Sequence, residues 1–427
     1  MKRFLAILLA VVFMQGVGLA EQGEIIGGSG SDMIAGLASH YGVTVVVGAT
    51  ASSDGTLYDR TKTGRSGWVC AIDAESRHIM WNFCTRYGSM DYMESPYIHE
   101  DGSISAVLIY DSSKKQQGAE LVSLDANGKQ GKRVTLTQHR PDRTFSLDTG
   151  VLVTESAAKE KITVATSLFD YEGVKLWTKE DTVPDCAAGA WALEGRGNIV
   201  TLWQVTAAGL AEISCVDVTK RLPSANASVC VQHMVCLQDG SVAAVCVASA
   251  QGAQANGAFL LLWDAQGTLR MEENCSGDVA YVLGKNDRGV LTLDAGGIVW
   301  LNPYAGGEAV PYTTVGMENA LYVAVNEQGM VVLAKQDTLN YDRNKEDVEL
   351  LWLADSDLQQ SDVSVPVADG NTMYYNPDGG SRYHADRNCP SVSQRYLPLQ
   401  GSFGWAERNN APYSVLAPCG ICHAPQR

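Results

Sequence analysis

The stretch LFDYEGVKLW, Leu168 to Trp177, decides how the chain is read. An apolar run ends in an aspartate. A glycine-containing turn follows, and then a short run that carries a tryptophan. Aspartate at a strand end hydrogen-bonds backbone a little downstream and so starts a turn. Glycine supplies the positive φ that tight hairpins need. The decamer therefore predicts two short antiparallel strands and the hairpin between them. In AIDAESRHIMWNF, Ala71 to Phe83, an aspartate again leads from an apolar run into a run that carries a tryptophan.

Outward from this stretch the pattern recurs. Apolar runs end at Asp73, Asp125, Asp170, Asp217, Asp264, Asn302 and Asp355, 38 to 53 residues apart. A second series of turns ends in Gly42, Gly102, Gly150, Gly197, Gly240, Gly289 and Gly329, 40 to 60 residues apart, each followed by an apolar run. The two series interleave without a gap, which predicts seven units of about four short strands. One four-stranded sheet cannot bury both of its faces. Seven set radially can, each packed on the next. Long amphipathic helix patterns are missing between the runs, which argues against a parallel α/β fold. The expected fold is all-β: a seven-bladed β-propeller over residues 21–367 and a small Cys/His, zinc-ribbon-like module over 368–427. A β-sandwich with coincidental spacing is the competing reading. Trp68, Trp263, Trp300 and Trp352 lie within apolar runs and are expected to pack between blades. Asp101, Asp148, Asp239 and Asp287 recur at turns just before or close to the glycines and read as turn formers, not acid–base pairs.

The N-terminus has the pattern of an export signal over residues 1–20. Lys2 and Arg3 precede an apolar run, Phe4 to Met14, and Gly18 and Ala20 are small residues at the cleavage positions. That run is too short to span a bilayer. The expectation is a secreted or extracytoplasmic protein with no membrane span. A net charge of −16 argues against nucleic acid, whose phosphates demand a basic surface. The eleven cysteines are an odd number. Cys70, Cys215, Cys236 and Cys246 lie in apolar runs and suit either small core side chains or disulfides.

The tail raises the sharper chemical question. ADGNTMYYNPDGGSRYHADRNC predicts a hairpin between Tyr374-Tyr375 and Tyr383-His384, and one short irregular helix is expected in the stretch after it. Cys389 follows the hairpin, and Cys419 and Cys422 stand on a PCxxC knuckle some thirty residues later. Two thiolates on a tight loop and a distant half-site suit a tetrahedral ion, and one His with three Cys suits zinc. A module this small buries little core and needs a staple. The candidate ligands of a structural zinc are His384, Cys389, Cys419 and Cys422, with His423 in reserve. Disulfides are the main alternative. A thioredoxin-like reactive thiol would need a helix after the CxxC, and only HAPQR follows.

Two resemblances add to this. Gly27 to Asp32 (GGSGSD), the later TASSDGT and the strand GWVCAID resemble the repeats of exported bacterial propellers, with Gly88 to Asp91 a worn second copy. The stretch 27–367 is similar to quinoprotein-like and WD-type propellers, which implies fold more than function. Quinone-cofactor dehydrogenases usually have eight blades and often a vicinal Cys pair; seven units and no adjacent cysteines set that activity aside. The tail, YH-x4-C then PC-x2-C, resembles small Cys/His modules at the ends of exported hydrolases and competence proteins. More distantly it is similar to the zinc-bound domain of the Ada repair protein. Here His384 takes a cysteine position and the chain is acidic, so methyl-transfer chemistry is not carried over.

No GxSxG, HExxH, P-loop or helix-opening GxGxxG occurs. His40, His78, His99, His139 and His233 are scattered, and no catalytic residue is assigned. The functional expectation is an exported binding propeller for an extracellular protein, peptide or glycan. The alternatives are a propeller-type carbohydrate-active enzyme and an envelope-assembly scaffold.

Overall fold

The computed structural model describes residues from Glu24 to Cys419. Outside it lie 1–23, 420–427 and internal stretches, the longest being 57–64, 250–257, 338–346, 359–371 and 405–412. The expected leader, Cys422 and His423 are thus outside the described residues. The chain divides into two compact units, Met1–Ser361 and Asp362–Arg427.

Among its described residues the first unit has no α-helix, and its strands form seven four-stranded antiparallel sheets. Six are meanders of consecutive strands, over 32–84, 91–137, 143–180, 186–217, 228–274 and 279–314. The first strand of each sheet touches the first strand of the next. Asp32–His40 meets Asp91–Ile98, and the series runs on through Arg143–Leu147, Cys186–Ala188, Ser228–Cys236, Val279–Lys285 and Tyr322–Val325. The last of these returns to Asp32–His40. The sheets stand in a ring with their first strands innermost, which is a β-propeller.

The apolar runs are continuous because both faces of each sheet are covered. Val45 and Val47 pack toward the second sheet with Ile104 and Leu108, whereas Val46 between them packs toward the seventh with Val332 and Leu350. Trp68 and Trp263 are fully buried in such seams, and Trp352 is nearly so. Trp300 is partly buried against another.

Three details differ from the repeat reading. The seventh sheet has three consecutive strands, Tyr322–Val325, Val331–Asp337 and Asp347–Leu353, and takes its fourth from the N-terminus. Glu24–Ile26 pairs antiparallel with the last of them, Ile26 opposite Val348. Ladder hydrogen bonds, as well as side-chain packing, thus join the two ends of the ring. The fourth sheet is displaced by one strand. Gly197 joins its second and third strands, Asp217 ends its fourth, and Gly189 (φ 58°) makes its first turn. Its first strand, Cys186–Ala188, is too short to register as an apolar run. In the sixth sheet Asn302 is no turn former. It is buried in the strand Ile298–Pro303 and donates its amide to Val290 O and Thr292 Oγ1. Asp294 makes the turn instead, accepting from Gly296 and Ile298.

The GGSGSD motif is a clamp beside the closing strand. Asp32 is fully buried and accepts from Gly28 N–H (2.8 Å), Ser52 Oγ (2.8 Å) and the Thr50 hydroxyl. Gly30 N–H donates to Ser52 Oγ and Ser29 N–H to Asp54. The GGSGSD turn and the TASSDGT segment therefore fasten each other. A Cβ on Gly28 would lie 2.2 Å from Asp54 O, so only glycine fits there.

The second unit is a small sheet. Thr372–Tyr375 pairs with Arg382–His384, as the hairpin reading expects, with Tyr374 opposite His384. Two strands without a sequence signal complete it: Gly401–Gly404, antiparallel to the first, and Ala417–Pro418, parallel to the second. A 3-10 turn, Gln394–Tyr396, stands where the irregular helix was expected.

Candidate functional site

The short parallel pairing of Arg382–His384 with Ala417–Pro418 brings together segments distant in sequence. Cys419 N–H then donates to Tyr383 O at 2.9 Å, which sets Cys419 next to His384. Cys389 enters from the segment after the hairpin and packs with Met373, Tyr383 and Phe403. One ligand atom from each of His384, Cys389 and Cys419 lies within 4.8 Å of the others, and all three residues are buried. The Sγ atoms of Cys389 and Cys419 are 3.8 Å apart. A disulfide needs about 2.05 Å. Two thiolates on a tetrahedral zinc, each at about 2.3 Å, stand about 3.8 Å apart. The donor set and spacing fit zinc on three of four corners. No disulfide joins two described cysteines.

The other cysteines divide by strand position. Cys70 and Cys246 are fully buried core side chains, and Cys236 is partly buried. Cys215, read as one of the same set, is exposed. It lies on Gly209–Asp217, the outer strand of the displaced fourth sheet, beside Thr201 and Glu212.

On the first unit, a groove of about 560 Å3 opens between the second and third sheets. The turn Glu100–Asp101 and its neighbour His99 line one side, and Tyr171 and Glu172 of the third sheet's turn line the other. Tyr171 stacks on Tyr97 with ring centres 4.7 Å apart, and the His99 ring meets Tyr171 edge-on at 4.7 Å. The Tyr171 hydroxyl donates to Leu147 O, and burial pushes its pKa far up. His99 Nε2 lies 2.8 Å from Ser105 Oγ, and burial lowers the imidazole pKa. Asp101 caps Ser103 through both N–H and Oγ. The sequence marked Asp101 as a turn former, which it is, but gave no sign of Tyr171 as its neighbour.

No family model matches the chain, and neither does any curated protein. Among solved structures, the chain resembles β-propellers. The β-propeller domain of the Trilobed protease from Pyrococcus furiosus aligns over 75% of this chain and 95% of its own, at 10% identity and a TM-score of 0.46. A chain of the mitotic checkpoint complex aligns over 78% and 95%, at 10% identity and 0.49. The WD40 β-propeller domain of Doa1 aligns over 79% and 98%, at 11% identity and 0.41.

The other described histidines serve the fold or lie at the surface. His233 is enclosed between the fifth and sixth sheets, accepts from Val282 N–H at 3.2 Å and meets the Tyr281 ring edge-on. Burial lowers its pKa to about 4. His40 stands 2.9 Å from Glu327 at the seam of the first and seventh sheets. His78 and His139 are exposed.

Proposed function

We propose that this protein is an exported, seven-bladed interaction propeller whose ligand is another protein, and whose tail is stapled by one structural zinc. The groove at Tyr171 carries the interaction reading. It is a concave, partly aromatic site between two sheets, and ligand sites are typically concave and largely pre-formed. Of its three carboxylates, Asp101 is held by Ser103 and Glu172 is paired with Lys132, and no two of them are arranged as an acid–base pair by any bond among the described residues, which favours binding over polysaccharide hydrolysis. A glycan ligand and a scaffold role are the other readings of the same surface.

The zinc would be held by His384, Cys389, Cys419 and Cys422, with His423 in reserve. Zinc there supplies a closed cross-link and no open coordination position. The chain's own residues exclude water from it: Tyr383 and Cys389 are fully buried and Cys419 nearly so.

The interaction reading is tested with a photo-crosslinking residue at position 172 in one variant and at position 196, on the opposite face, in another. Protein crosslinks from position 172 alone support it, and crosslinks from position 196 alone overturn it. Metal analysis of the full chain tests the tail. One zinc per chain, absent from Cys419→Ser, supports the staple. A metal-free chain with a Cys389–Cys419 or Cys389–Cys422 disulfide overturns it.

A further inference from the structure

In every sheet of the ring the first three strands run as a meander, so the first-to-second turns open on one face, which in the six full meanders is also the face of the third-to-fourth turns. On that face the first-to-second turns carry Glu100, Asp101, Asp148, Asp239, Asp287 and Glu327. Among the described residues these turns carry one Lys or Arg, Arg288, and Lys285 at the end of the strand before it is bonded to Asp239. The sheet order thus gathers acids from separate repeats around one end of the ring.

The Tyr171 groove lies on the same face. Glu100, Asp101 and Glu172 line it, and burial lowers the His99 pKa. Lys132 is the one Lys or Arg among the described residues that line it. Its ammonium donates to the Glu172 carboxylate at 2.7 Å and to the Glu172 carbonyl at 2.9 Å. Both side chains are largely exposed, so the pair is held weakly and an incoming cation can displace it. Beside it stand the Tyr171 ring and the Ser105 and Ser123 hydroxyls, an environment suited to a cation on an alkyl stem.

We propose that this groove receives a lysine or arginine side chain from a basic segment of the partner protein, and that Lys132 occupies the position until the partner arrives. The inference rests on the interaction reading above and names the chemistry of its ligand. Glu172 and Glu100 would accept the incoming cation, and the acidic ring would hold the flanking basic residues.

The test is fluorescence anisotropy of the full chain with a labelled decapeptide of alternating lysine and glycine. The glutamate–glycine peptide is the control. Glu100→Gln/Glu172→Gln is expected to weaken lysine-peptide binding about tenfold, the loss of charge-assisted hydrogen bonds. Glu180→Gln/Glu212→Gln changes net charge equally on outer strands and is expected to change binding less than about twofold. Lys132→Gln, which vacates Glu172, is expected to strengthen binding severalfold. Equal weakening by the two double variants would show only general attraction to an acidic chain and would overturn the proposal. So would weaker binding in Lys132→Gln. Either failure leaves the crosslinking result at position 172 standing, so the two ideas fail separately.

Discussion

Trp81 donates its indole N–H to Ala126 O at 2.9 Å and lays its ring over Gly128 in the turn of the next sheet. A Cβ at Gly128 would come within 2.5 Å of Trp81 Cδ2, and φ there is 77°. The same relation joins Val134 to Gly173 and Ile213 to Gly267. An outer-strand side chain thus covers the neighbouring turn, and the glycine leaves room for it.

Gly128→Ala should destabilise the first unit by about 2–4 kcal/mol, combining left-handed strain with overpacking. Gly197→Ala is the control. Its φ is 61°, but no described atom lies within 4 Å of the added Cβ, so about 1 kcal/mol is expected. Urea midpoints of the two variants check this, and equal losses would show that the Trp81 contact contributes nothing.

Closure by the N-terminal strand can be probed at Ile26, which is fully buried opposite Val348. Ile26→Ala should cost about 2–5 kcal/mol. Hydrogen exchange should quicken first in the strands Glu24–Ile26 and Asp347–Leu353. Uniform quickening around the ring would contradict a local closure.

His233 gives a pH dependence. Its imidazole is neutral in the fold with a pKa of about 4, against about 6.5 in an unfolded chain. The unfolded chain therefore binds the proton more readily, and stability falls as pH drops below about 6.5. Between pH 7 and pH 5 this contributes roughly 2 kcal/mol of loss. In His233→Gln that portion of the slope should vanish, measured as the difference in unfolding free energy at the two pH values.

Asp32 works in the other sense. Burial raises its pKa, against the hydrogen bonds from Thr50, Ser52 and Gly28 that lower it, and Asp347 adds to the rise. The folded carboxyl holds its proton more tightly than the unfolded one. Its contribution is full below the ordinary carboxylate value and is lost as pH rises through the raised folded value. The stability of the native chain relative to Asp32→Asn should therefore decline as pH rises across that window. A difference independent of pH would mean that the carboxyl titrates normally.

Thiol reactivity separates the cysteines by position. Cys215 is exposed and should react with a disulfide reagent in the native protein, whereas the buried Cys70 and Cys246 should react only on unfolding. Desolvation and the neighbouring Glu212 raise the Cys215 pKa, so its reaction at pH 7 should be slower than that of free cysteine. Mass spectrometry of the labelled peptides identifies the site.

Local chemistry made much of this chain legible. Asp125, Asp170 and Asp264 each accept from N–H groups two and four residues downstream, so their turns are local events that the sequence announces. The tail hairpin was readable for the same reason, and residue type and spacing singled out His384, Cys389 and Cys419, which lie together. What depends on distant segments was not readable. Neither the pairing of Glu24–Ile26 with the seventh sheet nor that of Ala417–Pro418 with the hairpin has a local signature, because each short strand is stabilised by an edge supplied from elsewhere in the chain. The displaced fourth sheet and the buried Asn302 follow the same rule, since a strand's place in a sheet depends on its partners. The groove beside Tyr171 exists only because the ring sets the turn of the third sheet against that of the second.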